Sequence, residues 1–238
     1  VKDIVAQNKD EIAAIIIEPV VGNMGCVLPQ QGFLEGLRKI CSEESIVFIF
    51  DEVMTGFRLS AGGAQEKLNI DADIVTYGKV IGGGLPVGAF GGKKEIMEHI
   101  APLGNIYQAG TLSGNPIAMI AGYTLLKVLK NNPSIYTELD EKTARLEKSL
   151  NDILAAKNIP HCINRMGSMM SIFFTNGNVI DFESASKTDA NLFKRFFHHM
   201  LDHGIYLPPS AYESWFLSNA LSSEDIDATL AAAESFIP

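Results

Sequence analysis

The most constraining feature of this chain is a series of short apolar runs, separated by a helical pattern, that carry charged residues near their ends. The runs are IAAIIIEPV at residues 12–20, IVFIFDEV at residues 46–53 and DIVTYGKV at residues 73–80, with PVGAFGG at residues 86–92 as a fourth candidate. Residues 30–43 place apolar side chains on one face of a helix. Short apolar strands alternating with helices are typical of a sheet covered on both faces. The sequence therefore predicts an α/β fold with a mostly parallel sheet.

The chain from residue 131 onward has a different pattern. It predicts a smaller C-terminal α+β domain over residues 131–238, after a large domain over residues 1–130. Ser222 with Asp225 resembles a capping box that begins the last helix. The other predicted elements are an amphipathic helix over residues 139–154, a strand MGSMMSIFFT at 166–175, a helix over 188–203 and a short strand GIYLPPS at 204–210.

Composition and charge narrow the classes of partner. The formal net charge of -9 disfavours nucleic acid and anionic membranes, which select for basic patches. No apolar run is long enough to cross a bilayer, so no membrane partner is expected. Cys26, Cys41 and Cys162 are scattered and odd in number, which favours a reducing, cytoplasmic compartment. The adjacent His198 and His199 belong to no metal-binding motif, so we expect no metal site.

The first segment with chemical potential is DEVMTGFR, at residues 51–58. Asp51 lies at the end of a predicted strand, between apolar residues, where an unpaired carboxylate would be costly. It therefore requires a partner, and in an α/β sheet ligands lie beyond the carboxyl ends of the strands. A protonated pyridine nitrogen is one such partner. A turn that Asp51 caps, or an ion pair with Arg58, is an equally good explanation of this segment alone.

The second segment is YGKVIGGG, at residues 77–84. Lys79 stands among apolar residues and is followed by three glycines, which is a poor setting for a merely solvated charge. Burial lowers the pKa of a lysine, and a neutral amine can attack an aldehyde to form a Schiff base. The glycines would allow the backbone to approach a ligand closely. The alternative is a surface lysine before a flexible turn.

Two further segments combine loop glycines with polar side chains. GTLSGNP, at residues 110–116, precedes an apolar helix over residues 117–129. A hydroxyl and backbone N–H groups at a helix N-terminus form a ready anion site, although Ser, Thr and Asn are equally common as ordinary N-caps. EPVVGNMG, at residues 18–25, is a strand end that leads into a glycine-containing loop.

Together, in this order and spacing, the four segments resemble the class III aminotransferase family of fold type I pyridoxal-phosphate enzymes. TGFRLSAGGAQ at residues 55–65, the stretch from GGGLPVGAF to GTLSGNP at residues 82–116, and PPSAYESWFLS at residues 208–218 are similar to the aminomutase branch of that family. The resemblance implies part of a fold type I large domain plus a small domain. It also implies the intramolecular amino transfer that converts glutamate-1-semialdehyde to 5-aminolevulinate in tetrapyrrole (porphyrin) biosynthesis.

The resemblance also implies roles for individual residues in the large domain. Lys79 would bind pyridoxal 5'-phosphate as a Schiff base and move protons during turnover, with the cofactor passing through its pyridoxamine form. Asp51 would pair with the pyridine nitrogen, and Val53 would pack on one face of the ring. Gly110 and Thr111 would reach the cofactor phosphate in the other subunit of a homodimer.

Three more residues receive roles from the resemblance. Asn23 would contact the cofactor near its ring oxygen, with Glu18 as a supporting carboxylate. Glu213 would lie at the substrate end of the site, or else be a solvated loop residue.

The sequence departs from the family pattern in two ways. The N-terminal half that the family carries is absent here, and Leu221 stands where a histidine is expected. Another class III aminotransferase or racemase, or an inactive truncated module, is therefore kept as an alternative.

Overall fold

The computed structural model describes residues 1–238, and the chain divides into two compact units. The first comprises Val1–Pro19 and Gln30–Asn132, and the second comprises Val20–Pro29 and Pro133–Pro238. The division after residue 132 lies two residues from the predicted domain boundary. Residues 20–29, which the prediction placed in the large domain, belong to the second unit.

Long-range hydrogen bonds explain why residues 20–29 belong to the second unit. The N–H of Gly25 donates to the carbonyl oxygen of Tyr212 at 2.7 Å. The N–H of Cys26 donates to the hydroxyl of Ser171 at 2.8 Å. Backbone groups of a buried loop need such partners, and a sequence pattern does not reveal partners this distant along the chain.

The first unit contains a four-stranded sheet in the order β1-β2-β3-β4. Strands β1, β2 and β3 are parallel, whereas β4 is antiparallel to β3. The predicted α/β fold with a mostly parallel sheet is therefore confirmed. The strands are β1 (Ala14–Ile17), β2 (Val47–Asp51), β3 (Ile74–Tyr77) and β4 (Ala89–Gly92).

Apolar packing on the sheet defines the core of the first unit. Leu34 and Leu37 of α2 pack with Phe48 and Phe50 of β2 in one buried cluster. The helices are α1 (Lys2–Gln7), α2 (Phe33–Glu43), α3 (Gly63–Leu68), α4 (Lys94–Met97) and α5 (Pro116–Asn131). Short helices α1, α3 and α4 were not predicted, because six residues or fewer carry too little periodicity to be recognised.

The second unit contains an antiparallel sheet in the order β5-β6-β7, with helices. Its elements are α6 (Ser134–Ala156), β5 (Cys162–Met166), β6 (Met169–Phe173), α7 (Phe182–Ala185), α8 (Ala190–Asp202), β7 (Trp215–Phe216) and α9 (Ser223–Ser235). The predicted capping box is confirmed: the Ser222 side chain accepts from the N–H of Asp225, and the Asp225 side chain accepts from the N–H of Ser222.

Two strand predictions in this unit are corrected. Residues 166–175 are not one strand, because the chain turns at Gly167, with φ +57, between β5 and β6. GIYLPPS forms no strand, and the third strand lies at Trp215–Phe216 instead. Pro208 and Pro209 have no N–H to donate to a ladder, which outweighs the apolar composition of that segment.

No helix of the protein is both long enough and apolar enough to cross a bilayer.

Candidate active site

Asp51 lies at the carboxyl end of β2, next to the end of β3. Its register partner is Thr76, and the Thr76 hydroxyl donates to Asp51 Oδ1 at 3.2 Å. The N–H of Val53 donates to the same oxygen at 3.1 Å. The Asp51 carboxylate therefore caps the turn that follows β2, which was one of the explanations offered for this segment. A carboxylate offers about four lone-pair sites, so acceptor capacity remains for a ligand.

Val53 packs directly against the turn that precedes Lys79. A Cβ placed on Gly78 would lie 3.1 Å from Val53 Cγ1, so only glycine fits there without displacing the valine. The turns after β2 and β3 therefore touch, and the side chains that follow them are held at one edge of the sheet.

Lys79 begins a 3-10 helix, Lys79–Gly82, that follows β3 after one extended glycine. Its side chain is exposed in this chain, not buried, because it lies beyond the end of the sheet. Its backbone adopts a positive φ of 47°. That conformation is rare for a long side chain and costs on the order of 1–3 kcal/mol.

Positive φ values at bulky residues cluster at this edge. Six non-glycine residues have one: three are Asp or Asn, which tolerate it, and a fourth is the small residue Ser45. The other two are Lys79 and Phe57. The Phe57 ring lies 5.6 Å from the ring of Tyr77, two residues before Lys79. Such strain persists only where the surroundings over-determine the backbone, and it is concentrated at functional sites.

The glycines after Lys79 serve helix packing. A Cβ on Gly83 would lie 2.5 Å from the carbonyl oxygen of Ala121, in α5. A Cβ on Gly122 would clash with the carbonyl oxygen of Ile81. The backbone of the 3-10 helix thus lies directly on α5. The glycines were expected to let the backbone approach a ligand closely. Within this chain they let it approach α5.

Glu52 is a buried residue of this edge for which the sequence analysis predicted no role. Its side chain is fully buried. Oε2 accepts from the N–H of Ala64 at 2.5 Å and from the Thr55 hydroxyl at 3.0 Å, and Oε1 accepts from the N–H of Gln65 at 3.2 Å. Burial raises the pKa of Glu52, although these three donors oppose the increase. The signal in the sequence was a second carboxylate directly after an apolar strand.

Gly110 and Thr111 lie on an exposed turn before α5. The N-cap of that helix is Asn115, whose side chain accepts from the N–H groups of Ile117 and Ala118 at 3.1 Å each. The ordinary N-cap role thus belongs to Asn115. Gly110 lines a cavity of about 750 Å³, together with Phe90 and others.

The remaining candidates divide between the two units. Glu18 directly follows β1 in the first unit and is partly buried. Asn23 and Glu213 are exposed residues of the second unit. Glu213 Oε2 accepts from the N–H of Ser210 at 3.3 Å. Their two loops are joined, because the Ser214 hydroxyl donates to the carbonyl oxygen of Gly22 at 3.3 Å.

The donor set at the strand ends fits pyridoxal phosphate. Asp51 supplies a carboxylate with spare acceptor capacity, and Lys79 supplies an exposed primary amine three residues beyond Thr76, the register partner of Asp51. A ring with a protonated nitrogen and an aldehyde requires one group of each kind. The structure brings no three metal-ligating side chains together.

The chain is similar to proteins of one known family. The sequence profile described as Aminotransferase class-III matches residues 1–234. A protein named glutamate-1-semialdehyde 2,1-aminomutase, from Flavobacterium johnsoniae, is 58% identical over 98% of this chain and 55% of its own length. The chain therefore spans about half the length of the curated relatives it matches.

Two solved structures show the same fold. One is a β-phenylalanine aminotransferase from Variovorax paradoxus, with 34% identity and a TM-score of 0.89 over 98% of this chain and 54% of that one. The other is an omega-transaminase from Sphaerobacter thermophilus, with 28% identity and a TM-score of 0.91 over 98% and 53%.

Proposed function

The chain belongs to the class-III aminotransferase family, and from that premise we propose that the protein carrying it converts glutamate-1-semialdehyde to 5-aminolevulinate by intramolecular amino transfer. The observation that carries the proposal is the placement of Asp51 at the end of β2 and of Lys79 two residues beyond the end of the neighbouring parallel strand β3. The names of the curated relatives support the choice of reaction within the family.

Pyridoxal phosphate is the cofactor of this proposal, and when bound it supplies an electron sink for the breaking C–H bond. Lys79 would hold the cofactor through its amine and then carry a proton between the carbon atoms of the substrate. The Asp51 carboxylate would keep the ring nitrogen protonated, because an anion at that position favours the charged form. Val53 would cover one face of the ring and exclude water there.

The homodimer belongs to this proposal. Gly110 and Thr111 would bind the cofactor phosphate of the partner subunit from their exposed turn. Ile117, Ile120 and Tyr123 of α5 are about three-fifths or more exposed, and apolar patches of this kind mark association surfaces. These side chains would become buried against another part of the assembled protein.

Asn23 would contact the cofactor near its ring oxygen, Glu18 would support that contact, and Glu213 would lie at the substrate end. The joined loops of Gly22 and Ser214 support a common role for Asn23 and Glu213. We propose the cytoplasm as the compartment, in keeping with three free cysteines.

The proposal is tested by supplying glutamate-1-semialdehyde to the protein that carries this sequence, with no amine donor and no keto acid. Internal amino transfer requires no second substrate, so we expect 5-aminolevulinate to form. The matched control is the same preparation after its cofactor has been removed, which should form none until pyridoxamine phosphate is restored.

A second candidate is an aminotransferase that uses an external amine. The two solved structures above, which share the fold at TM-scores of 0.91 and 0.89, are transaminases by name. Product that appears only when an amine donor and an acceptor are both supplied would favour this candidate. A protein that retains no cofactor after desalting would instead indicate an inactive module.

A further inference from the structure

Glu52 is fully buried beside Asp51, and its carboxylate accepts three hydrogen bonds where that of Asp51 accepts two. Its two oxygens accept three hydrogen bonds, all from neutral donors in residues 55–65. A Cβ on Gly63 would clash with Oε2, and Gly63 has a φ of +69°. The chain thus closes around this carboxylate at a position where glycine is required.

The same residue ties the two functional turns together through its backbone. The N–H of Glu52 donates to the carbonyl oxygen of Thr76 at 3.0 Å, which extends the pairing of β2 and β3 by one step. The carbonyl oxygen of Glu52 accepts from the N–H of Gly56 at 2.8 Å. A Cβ on Gly56 would lie 2.6 Å from Tyr77 Cδ1, so only glycine fits beside the tyrosine ring at this position.

The strained backbone at Phe57 and Lys79 requires surroundings that hold it in place, and the hydrogen bonds of Glu52 provide them. Phe57 and Lys79 both have positive φ, and the ring of Tyr77 lies against Phe57. A strained backbone is retained only when its neighbours leave it no alternative. The bonds of Glu52 with Ala64, Gln65 and Thr55 fix the loop that holds Phe57, and Phe57 in turn confines Tyr77.

We propose that Glu52 is a positioning residue, which orders the loop 53–65 and, through Gly56 and Tyr77, fixes the turn from which Lys79 projects. This inference rests on the proposed function, because positioning matters only if Lys79 acts on a bound cofactor. Glu52 itself would touch neither cofactor nor substrate, because its side chain is fully buried.

The test uses Glu52→Gln in the protein that carries this sequence. Whichever way the new amide is oriented, its NH₂ faces an N–H or O–H donor, so at least one bond is lost. The matched control is Glu66→Gln in α3, directly after that loop. Glu66 is exposed, and its carboxylate accepts the N–H of Gly62 at 2.8 Å and bonds the Ser60 side chain. Thr55→Val is a milder second variant, which removes one donor and keeps the shape, should Glu52→Gln fail to fold.

Two readouts are needed, and the first requires no cofactor. Amide hydrogen exchange should become faster over residues 77–83, as well as over 53–65, in Glu52→Gln and Thr55→Val but not in Glu66→Gln. The second is the visible absorption of the bound cofactor and its pH midpoint, together with kcat and KM. We expect the midpoint to move and kcat to fall about 10- to 100-fold, which is the typical cost of misplacing a reacting group by about 1 Å.

The outcomes separate this inference from the proposed function. Unchanged exchange over residues 77–83 in both variants overturns the inference. Faster exchange with an unchanged absorption band and unchanged kcat reduces Glu52 to a structural residue and overturns it too. If the unmodified protein takes up no cofactor, the proposed function fails, and the exchange data still decide whether Glu52 orders the Lys79 turn.

Discussion

The two ends of strands β2 and β3 hold their carboxylates in opposite ways. At the amino end, Asp73 is buried and pairs with Arg38 Nη1 at 2.9 Å and Lys93 Nζ at 2.6 Å. It also accepts the N–H of Phe48 at 2.7 Å. At the carboxyl end, Asp51 accepts bonds from a hydroxyl and an N–H, both neutral donors. The fold therefore neutralises one carboxylate itself and leaves the other able to receive a cation.

The pKa values of the buried carboxylates follow the same division. Burial alone would raise the pKa of Asp73, but Lys93, the N–H of Phe48 and Arg38 together hold it below its ordinary value. Glu52, at the carboxyl end, has no cation among its bonded partners, and burial raises its pKa. The amino end thus contributes to stability, whereas the carboxyl end keeps charge and strain that a ligand can use.

The largest expected effect is that of Lys79→Ala on turnover. Lys79 provides both the amine and the proton transfer in the proposed reaction, so kcat should fall by at least about 10²- to 10⁴-fold. Alanine has the same positive φ to adopt, and the side chain is exposed, so the free energy of unfolding should change by less than about 0.5 kcal/mol. Steady-state kinetics and urea unfolding measure the two quantities.

Lys94→Ala is the matched control for that experiment. Lys94 is an exposed lysine with an i,i+4 ion pair to Glu98 at 3.5 Å. It follows β4, which is antiparallel to β3 and therefore ends at the opposite edge of the sheet from Lys79. It should leave both turnover and stability unchanged. Normal turnover by Lys79→Ala would remove this residue from the mechanism. The carboxyl end of the sheet would then no longer be its functional end.

Asp51→Asn should weaken catalysis with little effect on the fold. The amide keeps an acceptor for Thr76 and Val53 but loses the charge that would pair with the ring nitrogen. A hydrogen bond to a charged group is worth about 1.5–3 kcal/mol, so kcat/KM should fall about 10- to 100-fold. Cofactor affinity, measured by titrating the absorption of pyridoxal phosphate, should fall as well. If the free energy of unfolding falls by more than the activation free energy that corresponds to the loss in kcat/KM, Asp51 is a structural residue like Asp73.

Asp73→Asn should show the reverse pattern. Removing one partner of a buried ion pair costs about 3–5 kcal/mol, and the half-exposed Lys93 can regain water, so we expect about 2–3 kcal/mol here. Turnover of the folded protein should be unchanged. Asp71→Asn is the control, since its side chain is exposed two residues earlier and should change stability by less than about 0.5 kcal/mol.

The sequence predicted which residues lie at this edge of the sheet better than it predicted their contacts. Asp51 and Lys79 could be recognised because each follows an apolar run, and a charge in that position requires an explanation. The bonds of Asp51 with Thr76 and of Glu52 with Ala64 could not, because they depend on strand register and on a loop closed over 12 residues. The same limit hid the pairing of Asp73 with Lys93 and the attachment of residues 20–29 to the second unit.

The smallest expected effect is a difference in pH dependence between the two carboxylates. The folded pKa of Asp73 is below its ordinary 3.8, so its stabilisation is present above that pH and is lost as the pH falls through the folded pKa. The folded pKa of Glu52 is above its ordinary 4.5, so its contribution is present below that pH and is lost as the pH rises through the folded pKa.

Urea unfolding at several pH values can separate these contributions from those of all other groups, because each variant is compared with the unmodified protein at the same pH. The advantage of the unmodified protein over Asp73→Asn should shrink as the pH falls below 3.8. Its advantage over Glu52→Gln should instead shrink as the pH rises above 4.5. Two differences that change in the same direction would mean that the two ends of the sheet treat buried charge alike, and the division between a stabilising end and a functional end would fail.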